Sequence, residues 1–196
     1  MTNPTDERPA HPGDPCVMTI FGASGDLTKR KLIPALYNLA RENFLSKEFA
    51  VVGFARREMT HEVFREKITE DMKEFATGQI DPDLWHWFVR RLYYATGDLR
   101  DPTAYQRLRD LLAQIDQDHG TRGNYLYYLA TAPDFFAPVV QQLSAAELLR
   151  EANGQWRRVV IEKPFGHDLD SARALNQEFR TVLSERQIYR IDHYLG

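Results

Sequence analysis

Four places in this 196-residue chain gather side chains able to do chemistry. At Gly22-Ala-Ser-Gly25-Asp26-Leu27-Thr28-Lys29, two glycines follow an apolar run and precede a helical one. A pyrophosphate must approach backbone amides closely, and a side chain at either glycine would block it. The helix behind the turn offers the same anion the positive end of its dipole. Arg56 and Arg57 end the next apolar run, where a dinucleotide fold meets the adenosine ribose. A carboxylate there suits a free 2′-hydroxyl, whereas the planar donor fork of arginine suits a 2′-phosphate. At Glu162-Lys163-Pro164, a lysine able to donate to a sugar hydroxyl or a carboxamide is aimed by the proline after it. At Asp192-His193-Tyr194, an acid, an imidazole and a phenol follow a strand-like run and read as the start of a substrate site.

Each place also has a plainer reading. G-x-x-G is looser than the full G-x-G-x-x-G fingerprint. Asp26 suits a helix N-cap, and Lys29, Arg30 and Lys31 suit a solvated helix face. Arg56 with Arg57, or Asp192 with His193, could be ordinary surface pairs, and Lys163 an ordinary turn lysine. What favours chemistry is that the glycine turn, the arginine pair and the Lys-Pro turn each fall at the end of an expected strand. The six histidines are scattered, and none has the spacing of a metal ligand with another His, Cys or carboxylate, so no metal is expected.

These groups need elements to hold them. Residues 16–21 are apolar and end at a glycine, which suits a buried strand. Residues 27–43 carry Leu32, Ile33, Leu36, Leu39 and Ala40 at helical spacing. Pro34 lies inside that run, so the helix either kinks there or begins near Leu32. The patterning predicts further strands over 49–54, 92–96, 125–130, 158–162 and 188–191. It predicts helices over 60–76, 83–91, 104–116, 135–143 and 169–183, the first with Val63, Ile68, Met72 and Phe75 inward. Trp85, Trp87, Tyr93, Tyr94, Tyr125, Tyr127 and Tyr128 read as packing residues. Strands alternate with helices about every 30 residues, the rhythm of βαβ crossovers. The fold class is therefore α/β, a doubly wound Rossmann-type parallel sheet with helices on both faces. Ligands belong at the carboxyl ends of its strands.

Bulk properties exclude other classes. A net charge of −3 gives no electrostatic reason to expect nucleic acid or an anionic membrane as partner. No apolar run approaches the roughly 20 residues that span a bilayer. One cysteine, Cys16, permits no internal disulfide and fits a reducing cytoplasm. Residues 1–15 hold four of the ten prolines among polar residues and are expected to form a mobile leader. Residues 16–196 are expected to form one dinucleotide-binding domain.

The segments Gly22-Ala-Ser-Gly-Asp-Leu-Thr-Lys29, Gly53-Phe-Ala-Arg56, Tyr128-Leu-Ala-Thr-Ala-Pro133, Glu162-Lys-Pro-Phe-Gly166 and Arg190-Ile-Asp-His-Tyr-Leu-Gly196 occur in this order. Together they resemble the glucose-6-phosphate dehydrogenase family, over about residues 17–196. The resemblance implies NADP as cofactor and glucose 6-phosphate as substrate, oxidised at C1 to 6-phosphogluconolactone in the first step of the pentose phosphate pathway. It implies that Gly22, Ala23, Ser24, Gly25, Asp26, Leu27, Thr28 and Lys29 hold the cofactor phosphates and Arg56 the 2′-phosphate, with Arg57 beside it as the arginine pair itself suggests. Phe136 would lie beside the cofactor, and Lys163 between nicotinamide and sugar. His193 and Tyr194, followed by Leu195 and Gly196, would bind the substrate, and Asp192 would orient a histidine base expected downstream of the motif. The chain then reads as the cofactor part of a longer homo-oligomeric enzyme whose large α+β domain is absent. It is expected to be inactive alone and to expose apolar surface toward that domain.

The family usually has Ala at the position of Thr28, Pro at Ala132, often Tyr at Phe136 and often Ser at Arg57. Thr28 adds a possible hydroxyl contact, and Phe136 removes a hydrogen bond while leaving stacking. Two alternatives stand beside this reading. One is another NADP-linked sugar oxidoreductase with a Glu-Lys-Pro turn; the other is a non-catalytic NADP-binding module.

Overall fold

The computed structural model describes residues 11–165 and 168–191. Among them, six strands form one parallel sheet. They are β1 (Val17–Phe21), β2 (Ala50–Ala55), β3 (Leu92–Thr96), β4 (Tyr125–Leu129), β5 (Arg157–Glu162) and β6 (Ile188–Ile191). Their order is β3-β2-β1-β4-β5-β6. The connecting helices are α1 (Ile33–Arg41), α2 (His61–Phe75), α3 (Pro82–Val89), α4 (Pro102–His119), α5 (Phe136–Ala145) and α6 (Leu169–Arg180).

Strands buried on both faces must be apolar along their whole length, and β1 (Val-Met-Thr-Ile-Phe) and β2 (Ala-Val-Val-Gly-Phe-Ala) are fully buried. Met18, Ile20 and Val51 face one way, against Ile33 and Tyr37 of α1, Phe64, Ile68 and Met72 of α2, and Phe88 of α3. Val17, Phe21 and Val52 face the other way, against Leu108 and Leu112 of α4, Val139 and Leu143 of α5, and Phe179 of α6. Each such large side chain contributes about 1.5–3 kcal/mol on burial. Local signals place the helix ends. Asp101 accepts from the Thr103 amide ahead of Pro102, and Gly120 closes α4 in the left-handed conformation. Asp81 caps α3 in the same way, through the Leu84 amide.

The chain lays β2 and β3 to one side of β1, then returns through α4 to lay β4, β5 and β6 on the other. The sheet therefore reverses direction between β1 and β4. Loops leaving these two strands diverge and open a crevice at their carboxyl ends.

Three expectations need adjustment. A π-helical turn, Thr28–Leu32, runs without a break into α1, and Pro34 sits in the first turn of α1 directly after it. On α2 the inward stripe is Phe64, Ile68 and Met72, while Val63 is 47% exposed. Residues 13–15, assigned to a mobile leader, are tied to the body. Gly13 donates to the Phe44 carbonyl, Pro15 accepts from Asn124, and Asp14 accepts from the Trp156 indole.

Candidate functional site

Leaving β1, the backbone turns at Gly22 with φ +87°, and a Cβ there would run into the carbonyl oxygen of Ala130. Only glycine fits. The amides of Gly22 and Ala23 both donate to the Phe54 carbonyl at 2.9 and 3.2 Å, bracing the turn on β2. Gly25 donates to the Gly22 carbonyl at 2.9 Å. A Cβ on Gly25 would meet only that carbonyl, at 3.2 Å, so the space on its outer side is open. No side chain caps the π-helical turn that follows. The helix itself begins at Asp26, ahead of that turn, and its first amides are those that helix geometry leaves without an intrahelical acceptor.

The turn borders a cleft of about 400 Å³ at the carboxyl ends of β1, β2 and β4. Gly22, Ser24 and Gly25 form one wall, Arg56 and Arg57 the end beyond β2, and Asp98, Leu99 and Phe135 the far side. The Tyr94 hydroxyl donates to the Arg57 carbonyl at 2.7 Å, fixing the backbone that presents both guanidinium groups. Asp98 accepts from the Arg100 amide at 2.9 Å, and the Arg100 guanidinium lies 5.2 Å over the Phe135 ring.

A smaller cleft of about 160 Å³ adjoins it, bordered by Leu27, Leu129, Phe136, Glu162, Lys163 and Pro164. Ala130 and Thr131 border both clefts, so the two are neighbours at the end of β4. Lys163 is exposed, its amide donates to the Ile191 carbonyl at 3.2 Å, and its bond to Pro164 is cis. Glu162 is 9% exposed and accepts a hydrogen bond from the Tyr128 hydroxyl.

The anticipated residues thus divide. Gly22, Ser24, Gly25, Arg56 and Arg57 line the large cleft; Leu27, Phe136 and Lys163 line the small one. Phe136 is 2% exposed and belongs to the core, so it presents little of its ring. Ala23 and Thr28 border neither cleft. Ala23 packs beneath the turn against Gly53, and Thr28 is fully buried, so the hydroxyl contact expected of it is not offered. Asp26 does not cap a helix; it pairs with Lys29 at 2.8 Å, and that hydrogen bond holds its carboxyl below the usual carboxylate range. Asp192, His193, Tyr194, Leu195 and Gly196 lie outside the described residues, as does Gly166.

Sequence reading missed Asp98, Leu99, Thr131, Phe135 and Glu162. Thr131 and Glu162 lie inside segments already singled out, and Asp98 lies two residues past the end of β3, so position after a strand was the available signal.

Two features fit a dinucleotide. The open side of Gly25 leaves room for a group pressed against the turn. The Thr131 hydroxyl, in the wall shared by both clefts, has no hydrogen-bond partner among the described residues. A buried polar atom left unpaired calls for an explanation, and a bound polar group is one. No group of His, Cys, Asp and Glu able to hold a metal occurs among the described residues.

Comparison with known proteins agrees with this geometry. The family described as glucose-6-phosphate dehydrogenase, NAD binding domain, matches residues 19–196. The chain is 45% identical to glucose-6-phosphate 1-dehydrogenase of Chlamydia pneumoniae over 185 residues, 93% of this chain and 36% of that protein. It is 43% identical to the Bacillus subtilis protein of the same name over 180 residues, 92% of this chain and 35% of the relative. It is also similar to the structure of a glucose-6-phosphate dehydrogenase in complex with its substrate glucose 6-phosphate. That match has a TM-score of 0.82 at 34% identity and covers 95% of this chain and 38% of the other. The Mycobacterium avium enzyme gives a TM-score of 0.78 at 37% identity, over 94% and 37% of the two chains. The chain therefore spans little more than a third of the relatives it matches.

Proposed function

The chain belongs to the glucose-6-phosphate dehydrogenase family, and on that premise we propose that it is the NADP-binding part of an enzyme oxidising glucose 6-phosphate at C1. The observation that carries this reading is the pair of neighbouring clefts at the reversal of the sheet, with Arg56 and Arg57 bordering one and Lys163 the other.

In this reading the amides at the start of the helix, from Asp26 on, which the Phe54 and Gly22 carbonyls do not occupy, hold the pyrophosphate. Arg56, with Arg57 beside it, takes the 2′-phosphate through its donor fork, which a ribose hydroxyl would not satisfy. The small cleft takes the nicotinamide, with Thr131 in its wall and Lys163 at its mouth, where the ammonium can also donate to a sugar hydroxyl. NADP bound there supplies the acceptor for the hydride leaving C1. Asp192, His193, Tyr194, Leu195 and Gly196 keep the substrate-side roles that the family resemblance implies. The same resemblance puts the histidine that takes the C1 hydroxyl proton downstream of them. The 196-residue chain by itself is accordingly proposed to bind NADP and to turn over no glucose 6-phosphate. A cytoplasmic location, homo-oligomeric assembly of the full-length enzyme, and the first step of the pentose phosphate pathway belong to the same reading.

Calorimetric titration tests it. NADP is expected to bind at least tenfold more tightly than NAD, about 1.4 kcal/mol, and Arg56→Ala to erase that margin. Equal binding of both dinucleotides by the unaltered chain removes Arg56 from its role and NADP from the proposal. Turnover of glucose 6-phosphate well above background overturns the inactivity of the chain.

A further inference from the structure

Glu162 is the one acidic side chain among the described residues that borders the small cleft. It is 9% exposed, at the carboxyl end of β5, and Tyr128 of the neighbouring strand β4 donates its hydroxyl to it. Tyr128 is itself buried, and the parallel pairing of β4 with β5 fixes the two side chains relative to each other. The rest of the cleft wall is largely apolar, with Leu27, Leu129 and Phe136. A charge in such surroundings acts more strongly on a neighbour than the same charge in water.

Resting on the reading that the small cleft takes the nicotinamide, we propose that Glu162, held by Tyr128, makes the site discriminate between the oxidation states of the cofactor, favouring the oxidised form. The oxidised nicotinamide ring carries a positive charge and the reduced ring none; the remainder of the two molecules is identical. Only groups beside the ring can tell the forms apart, and the buried carboxylate attracts one of them. The Lys163 ammonium borders the same cleft and opposes this, but its side chain is exposed and water screens it. The hydrogen bond from Tyr128 keeps the carboxylate in place. The consequence for an oxidation reaction is directional: the form that must enter is held more tightly than the form that must leave.

The test measures dissociation constants of oxidised and reduced NADP for the chain and for Glu162→Gln, which keeps the size of the side chain and an acceptor for Tyr128. The unaltered chain is expected to favour the oxidised form by roughly five- to tenfold. Glu162→Gln is expected to bring the ratio near unity, and the charge-conserving Glu162→Asp to retain it. Adenosine 2′,5′-bisphosphate, which lacks the nicotinamide, is expected to bind the chain and Glu162→Gln alike. A ratio unchanged in Glu162→Gln overturns the inference while leaving the cofactor assignment standing. So does a loss of adenosine 2′,5′-bisphosphate binding equal to the loss of oxidised NADP, since the change would then act through the fold. Binding of neither form by the unaltered chain overturns the assignment and the inference together.

Discussion

At the scale of single residues, Gly22 and Gly25 look alike in the sequence and do different work. Gly22 holds φ at +87° with Ala130 against its α-carbon, so its requirement is structural. Gly22→Ala is expected to destabilise the fold by about 2–4 kcal/mol, read from the denaturant midpoint, because left-handed strain and a backbone clash combine. Gly25 has no such φ, and its outer side is open. Gly25→Ala is expected to cost no more than about 1 kcal/mol of stability and yet weaken NADP binding at least tenfold (about 1.4 kcal/mol), because the new methyl group stands where a phosphate would press. Equal effects of the two substitutions on stability would contradict this division. Sequence alone showed that a phosphate turn wants both glycines; only packing separates the glycine that makes the turn from the glycine that leaves room.

At the scale of elements, strand and helix identity was legible because strands buried on both faces read as continuous apolar runs and α2, α3, α4 and α6 carry side-chain caps. The stripe on α2 was misjudged because Val63 and Phe64 are adjacent, about 100° apart around a helix. Phe64 faces inward because it fills the space that Gly53 leaves: a Cβ on Gly53 would stand 2.7 Å from the Phe64 ring. That pairing joins residues eleven positions apart (Gly53 to Phe64) and has no local signature. The π-helical turn at 28–32 was equally hidden, since Pro34 announces a helix start without saying how the turn before it is wound.

The same scale carries a pH prediction for the edge strand β3. His61, at the start of α2, accepts the Tyr94 amide at Nδ1 (2.9 Å), and His119, at the end of α4, lies 2.7 Å from the Tyr93 hydroxyl. Burial, followed by Arg65 for His61 and Arg91 for His119, lowers both imidazole pKa values below 6.5. The folded state therefore prefers them neutral. Their contribution is complete above pH 6.5 and is lost as pH falls through the lowered folded values. Amide hydrogen exchange at residues 92–96 is expected to accelerate, beyond the chemical rate change, between pH 7 and pH 5, while β1 stays protected. Equal protection of β3 at both pH values would show that the imidazoles do not pin the strand.

At the scale of the whole molecule, the sheet is unevenly covered. Helices α1, α2 and α3 pack on one face over β1 to β3, but on that same face Tyr189 and Ile191 of β6 remain 44% and 39% exposed. The sequence could not say which strands would carry exposed apolar side chains, because exposure depends on what a neighbouring element covers. The candidate site joins the two halves of the sheet. Its walls come from the loops after β1, β2 and β3 on one side and after β4 and β5 on the other. A dinucleotide lying through both clefts would bind the folded arrangement and find no equivalent in the unfolded chain, so mass action must favour folding. At a free concentration one hundred times its dissociation constant, NADP is expected to add about 2.7 kcal/mol of stability. In a domain of this size that corresponds to a rise in Tm of roughly 5–10 °C. NAD at the same concentration should give a smaller rise, since it offers Arg56 and Arg57 no 2′-phosphate. Scanning calorimetry with each dinucleotide reads this without any turnover, and a Tm that NADP leaves unmoved would mean that the clefts do not hold it.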